Sequence, residues 1–156
     1  MLIKKIISGG QTGVDRAALD AAIEAGIPHG GWVPKGRKAE DGVIPLTYNL
    51  TELDKGGYAA RTEKNVLDSD GTLIITSGAM DNGTVFTREL VVLYKKPLLS
   101  IDVAESDLLK WTDKIVSWVK ANKIYVLNVA GPRNSKKPGI YEKTKRFLNS
   151  VFKDLY

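Results

Sequence analysis

A single-domain α/β fold, with a mostly parallel sheet between two layers of helices, is predicted for this chain by three observations. Short β-branched or apolar runs alternate with stretches of helical spacing along the whole sequence, the pattern of successive βαβ units. Two of those runs, residues 72–76 and 124–129, are almost continuously apolar, as strands buried on both faces must be. The length of 156 residues, with 43% hydrophobic and 26% charged, suits one ordinary globular domain spanning residues 1–156.

The elements follow in order. Residues 2–7, LIKKII, read as a strand that stops at Ser8-Gly9-Gly10. Val14, Ala17, Ala18, Ala21, Ala22 and Ala25 then recur at helical spacing, with Gly26 as a cap and Pro28 as a stop. A second strand is expected within residues 28–34. Residues 35–57 are polar and rich in Gly, Pro and Lys, longer than most α/β connections, and are read as a functional or mobile loop. A helix is predicted from residue 59 to about residue 67, then the apolar strand at 72–76. Residues 77–83 form a Gly-containing loop, followed by a helix with Phe86, Leu90, Leu93 and Tyr94 on one face. Pro97 breaks that helix before a strand at 98–101. Leu108, Trp111, Ile115 and Val119 mark another helix, and residues 124–129 the last strand. The closing helix is the most regular, with Thr144, Phe147, Leu148, Val151, Phe152 and Leu155 on one face.

Composition removes several kinds of chemistry. The chain has no cysteine, so disulfides, thiolate metal sites and Cys nucleophiles are excluded, and its one histidine, His29, precludes a multi-histidine metal site within one chain. No metal ligand set is expected; Glu40 and Asp41, the adjacent loop carboxylates, are a weak Mg²⁺ candidate. No apolar run reaches membrane-span length, and the apolar start is too short for a signal peptide, so a cytoplasmic protein is expected. The net charge of +5 is uneven: residues 110–156 carry 11 basic and 3 acidic side chains. Because those lysines are interleaved with core positions, the basic end reads as solvated helix faces rather than a nucleic-acid surface.

Three loops carry the candidate site. Gly9-Gly10-Gln11-Thr12-Gly13 joins the first strand to the first helix, where glycines allow close backbone approach and first-turn N–H groups favour an anion. It lacks the G-x-G-x-x-G and P-loop patterns; a tight turn without a ligand is the alternative, but three glycines in five residues favour the ligand. Asp15 and Arg16 follow; the first suits the helix dipole, the second a ligand or a neighbouring carboxylate. Gly83-Thr84 opens a later helix with the same layout, after Asp81-Asn82. Arg133, in Gly131-Pro132-Arg133, is placed to fork onto a phosphate or carboxylate. If the strand at 71–76 pairs beside that at 2–7, both Gly loops open into one cleft at a topological switch point.

The strings ISGGQTGVDRAALDAA, GGWVPKGRKAEDG, RTEKNV with SDGTLI, Gly83-Thr84 and LNVAGPRNSKKPGIY resemble the putative molybdenum carrier family. That family shares a Rossmann-like superfamily with the lysine-decarboxylase-like phosphoribohydrolases and the DNA-uptake protein DprA. The resemblance covers nearly the whole chain. It implies a three-layer Rossmann-like fold that binds a phosphorylated or nucleotide-like small molecule at Gly9, Gly10, Gln11, Thr12, Gly13, Arg61, Gly83, Thr84 and Arg133. It further implies molybdopterin cofactor as the cargo, and a homo-oligomer. The alternative is a nucleotide hydrolase of the phosphoribohydrolase kind. Those enzymes carry an Arg nine residues before an Asp, as Arg61 and Asp70 do here, and then Gly-Gly-x-Gly-Thr-x-x-Glu. This chain has Thr87 where the Glu belongs, with Glu89 two residues further on, which on a helix is a rotation of ~200°.

Overall fold

The computed structural model describes residues 1–104 and 108–156. In chain order it contains β1 (Lys5–Ile7), α1 (Val14–Glu24), β2 (His29–Gly30), β3 (Trp32–Val33), β4 (Lys38–Ala39), β5 (Gly42–Val43) and β6 (Thr51–Glu52). There follow α2 (Tyr58–Asp68), β7 (Gly71–Thr76), α3 (Asn82–Leu93), β8 (Leu98–Asp102), α4 (Leu108–Asn122), β9 (Val126–Ala130) and α5 (Ile140–Leu155). The alternation of strands and helices is therefore as the hydrophobic spacing predicts. No helix among the described residues is long and apolar enough to cross a membrane.

The central sheet has five parallel strands in the order β2-β1-β9-β7-β8. The expected pairing of the strand at 2–7 with that at 71–76 is wrong. β9 lies between them, with Ile6 opposite Leu127 and Leu73 opposite Val129. Nothing local in the sequence specifies that insertion, because all three strands are apolar and their pairing is settled by distant packing. Counted from β9 as the first strand, the order becomes 3-2-1-4-5, that of the doubly wound nucleotide-binding sheet. The N–H groups of Leu2 and Ile3 donate to the carbonyl of Leu155 at 2.8 and 3.2 Å. β9, α5 and β1 thus form a βαβ unit whose α5–β1 junction is bridged by hydrogen bonds rather than by a peptide bond.

The main core lies between the sheet and α1, α4 and α5, and includes Ile6, Ala18, Leu73, Ile115, Leu127 and Phe152. Every apolar position expected on the face of α5 is buried, as is Thr144. The opposite layer, α2 and α3, encloses a smaller cluster of Val66, Leu90 and Val91. Here the expected face is partly wrong. Leu93 is 67% exposed and Tyr94 sits at the helix end, while Thr84, Thr87, Leu90 and Val91 face inward. The stretch at 35–57 is folded rather than an open loop. β4 and β5 form a hairpin, β6 pairs with β3, and Val33, Ala39 and Ile44 make a third core packed by Tyr48 and Leu50.

Candidate functional site

In the 3-2-1-4-5 order the sheet reverses direction of winding between β9 and β7, where ligands of such folds enter the crevice beyond the strand ends. A cavity of about 550 Å³ occupies that place. Its walls come from the β1–α1 loop (Gly9, Gln11), α2 (Tyr58, Arg61, Asn65), the start of α3 (Asp81 to Thr84, Phe86, Thr87) and the end of β9 with its loop (Asn128, Arg133, Lys136). The adjacency on which a shared cleft is predicated fails, yet Gly9 and Gln11 of the first Gly loop and Gly83 and Thr84 of the second line one cavity, with β9 and its loop between them.

Of the residues predicted for the site, Gly9, Gln11, Arg61, Gly83, Thr84 and Arg133 line this cavity. Gly10 does not. A side chain there would meet Ile44, Leu50 and Val33, so its backbone faces the third core. Thr12 and Gly13 line a separate depression with Arg16, Glu40 and Asp41. Gly13 has φ of 80°, and a Cβ on it would lie 2.4 Å from the Pro132 carbonyl, so this glycine lets the β1–α1 and β9–α5 loops touch.

Most amides of the first Gly loop are already engaged, that of Gly13 being the exception among the described residues. Gly10 N–H donates to Ser8 Oγ at 3.4 Å, Gln11 N–H to Asp15 Oδ2 at 3.4 Å, and Thr12 N–H to Gln11 Oε1 at 3.0 Å. Val14 N–H donates to the Pro132 carbonyl at 3.2 Å. The start of α3 is different. Asp81 accepts from Thr84 N–H at 2.9 Å with its side chain and from Val85 N–H at 3.0 Å with its carbonyl. The amides of Asn82 and Gly83 donate to nothing among the described residues. The hydroxyl of Thr84, a residue only 2% exposed, also has no partner.

Asp15 and Arg61 form the buried base of the cavity, each 8% exposed, with Arg61 Nη1 3.9 Å from Asp15 Oδ2. Arg61 donates to the Gly9 carbonyl at 2.6 Å and lies over the Tyr58 ring at 5.2 Å. Burial pushes the Asp15 carboxyl up to about 6, although Arg61 and the loop amides pull the other way. Burial likewise lowers Arg61, opposed by Asp15. A Cβ on Gly9 would lie 2.4 Å from Arg61 Cδ, which explains a glycine there.

Thr87 lines the cavity, with its hydroxyl donating to the Gly83 carbonyl at 3.2 Å. Glu89 is exposed and outside the cavity wall, as the helical rotation predicts. Glu40 and Asp41 hold other groups instead of a cation. Asp41 pairs with Arg16 at 2.7 Å, and Glu40 accepts from Thr12 and Ser135. No group of three metal-binding side chains occurs among the described residues. His29 accepts from Asn49 N–H at 3.1 Å and stays outside the cavity. Tyr58, Asn128 and Lys136 were not singled out by the sequence reading. Asn128 had a signal: an amide within the apolar run Val126-Leu127-Asn128-Val129, bonded to Thr72 Oγ1 at 3.1 Å.

Comparisons with known proteins bear on the fold and the family. The crystal structure of a "putative molybdenum carrier protein" from Syntrophus aciditrophicus SB matches with a TM-score of 0.92 and 54% sequence identity, covering 97% of this chain and 95% of that one. No curated protein gives a significant match. A family model described as "Circularly permutated YpsA SLOG family" matches residues 6–152. The rotated strand order and the hydrogen-bonded junction of residues 2 and 155 are what a permuted chain requires. The chain belongs to the circularly permutated YpsA SLOG family.

Proposed function

We propose that this chain binds and carries a phosphorylated small molecule of cofactor or nucleotide size in the cavity between β9 and β7. One observation supports the reading above others: two unbonded amides at the start of α3 and the unpartnered Thr84 hydroxyl converge on a cavity that also receives Arg133 and Lys136. Helix N-termini of this kind favour a phosphate dianion. The cavity volume falls within the range of small-molecule sites. Tyr58 and Phe86 supply aromatic wall beside these polar groups.

The name of the Syntrophus protein makes a molybdenum cofactor the first cargo to test. The residues present suit the organic part of such a cargo. Asn82, Gly83, Thr84 and Arg133 would hold its phosphate, and Tyr58 and Phe86 its ring. They offer no thiolate, and no described cluster that would ligate the metal directly, so molybdenum would travel within its organic ligand. Mass spectrometry of small molecules released from purified, undialysed protein tests this. A phosphorylated pterin or nucleotide is expected, and consistent release of nothing phosphorylated would overturn the reading.

A second reading, hydrolysis of a nucleoside phosphate, has one observation in its favour: the buried Asp15 carboxyl on the cavity wall. Glu89 cannot serve, since it projects elsewhere. Incubation with AMP should therefore release no free base. Release that vanishes in Asp15→Asn would establish the enzyme instead. We also expect a homo-oligomer, because α3 exposes Val92 and Leu93 by 64% and 67%; light scattering of the purified chain checks this.

A further inference from the structure

We infer that Arg133 is a shared switch: it pairs with Glu40 and is drawn from it to the ligand's phosphate when the cavity fills, so that binding loosens the folded segment at residues 31–57. The inference rests on the phosphate-binding reading above and adds a regulation to it.

Glu40 fastens that segment to the rest of the molecule. Its carboxylate accepts from Thr12 Oγ1, from Ser135 N–H at 3.2 Å and from Ser135 Oγ at 2.5 Å, and its own N–H donates to Gln11 Oε1 at 2.9 Å. Thus one side chain of the β4–β5 hairpin clamps the loops after both β1 and β9. Burial opposes ionisation of Glu40, but the hydrogen bonds from Ser135 and Thr12 and the charge of Arg133 hold its carboxyl below the ordinary range.

Arg133 is the cation with loose ties. Its Nε lies 3.6 Å from Glu40 Oε2, an ion pair without a hydrogen bond, and it donates to nothing else among the described residues. Arg61, by contrast, is fixed by Gly9, Tyr58 and Asp15. Arg133 also lines the cavity, while Glu40 lines only the neighbouring depression. One guanidinium therefore stands between two anions: a carboxylate that latches the segment and a phosphate that is the proposed cargo. Hydrogen bonds to a phosphate are short and charge-assisted, and will outcompete a contact at 3.6 Å. Because both equilibria use the same group, the coupling must be reciprocal and unfavourable. Phosphate weakens the latch, and removing the latch's charge strengthens phosphate binding.

The experiment titrates inorganic phosphate into the wild type, Glu40→Gln, Arg133→Gln and the double variant, and follows amide hydrogen exchange over residues 36–50 with and without phosphate. Glu40→Gln keeps an oxygen acceptor for Thr12 and Ser135, so the fold is retained while the charge is lost. It should bind phosphate about three-fold more tightly, the range of a partly exposed ion pair. In the wild type, phosphate should speed exchange of the 36–50 amides. Arg133→Gln should abolish that acceleration and bind phosphate more weakly, and adding Glu40→Gln to it should change affinity no further. Phosphate that binds the wild type without changing exchange, or Glu40→Gln that binds no tighter, overturns the switch alone. Failure of the wild type to bind phosphate at all would overturn the binding site and the switch together.

Discussion

Asp15 carries the clearest chemical consequence of burial. Its carboxyl has an ordinary value of 3.8 and is raised to about 6 in the folded chain, so between those values the folded state holds a proton that the unfolded state has released. Folding is then favoured as pH falls through that window, and the charged carboxylate is a cost above it. The stability of the wild type relative to Asp15→Asn should therefore rise by on the order of 3 kcal/mol from pH 7 to pH 4. Urea unfolding of both proteins across that range measures it, and a constant difference would show that Asp15 is not a buried titrating group. Glycines make a second contrast. A Cβ on Gly131 would lie 2.3 Å from the Ile75 carbonyl and 2.7 Å from Val14 Cγ2, whereas one on Gly36 meets nothing within 4 Å. Gly131→Ala should cost about 3 kcal/mol, since backbone and a buried side chain must shift. Gly36→Ala should cost only about 1 kcal/mol, the penalty of its positive φ. Both follow from denaturant midpoints.

Helices and strands differ in how much of their placement the sequence discloses. The faces of α1 and α5 are legible from spacing alone, because their apolar residues recur every three or four positions and, apart from the half-buried Ala25 at the end of α1, the same residues are buried. The segment at 35–57 is not. Its core draws on Val33, Ala39 and Ile44, scattered among charged residues without periodicity, and its strands are two residues long. The chemistry at the start of α3 was half legible: Gly83-Thr84 marks a helix opening, but that Asp81 caps it depends on geometry. The Asp81 carboxylate occupies the positive end of the helix that an anion would share. Asp81→Ala should therefore lower stability by about 1 kcal/mol through loss of the cap, while inorganic phosphate binds more tightly. Calorimetric titration beside urea unfolding reads both. A variant that loses stability and phosphate affinity together would mean that Asp81 organises the anion seat rather than competing for it.

Connectivity is where the sequence reading failed and where the architecture explains most. The sheet keeps the doubly wound order, yet the chain enters it at the second strand, so the loops of β1, β7 and β9 meet although their strands lie far apart in sequence. Sequence distance carries no information about that meeting; only the parallel register of β9 with both neighbours does. If the fold is a property of the packed layers rather than of chain order, moving the ends should preserve it. Leu2 N–H already reaches the Leu155 carbonyl at 2.8 Å, so a short Gly-Ser linker spans the old ends without pulling α5 from β1. New ends belong between Asn122 and Lys123, where the chain turns from α4 to β9 and Lys123 is exposed with φ of 52°. Opening there forfeits one weak hydrogen bond, from Lys123 N–H to the Lys120 carbonyl at 3.3 Å, and keeps that of Ile124 to Val119. The rearranged chain begins with β9 and reads 3-2-1-4-5 directly. It should unfold in one cooperative transition with a midpoint close to that of the natural order, and it should bind inorganic phosphate with unchanged affinity, because every wall of the cavity is retained. A rearranged chain that stays unfolded would show that the α4–β9 connection, and not layer packing, sets the position of β9 between β1 and β7.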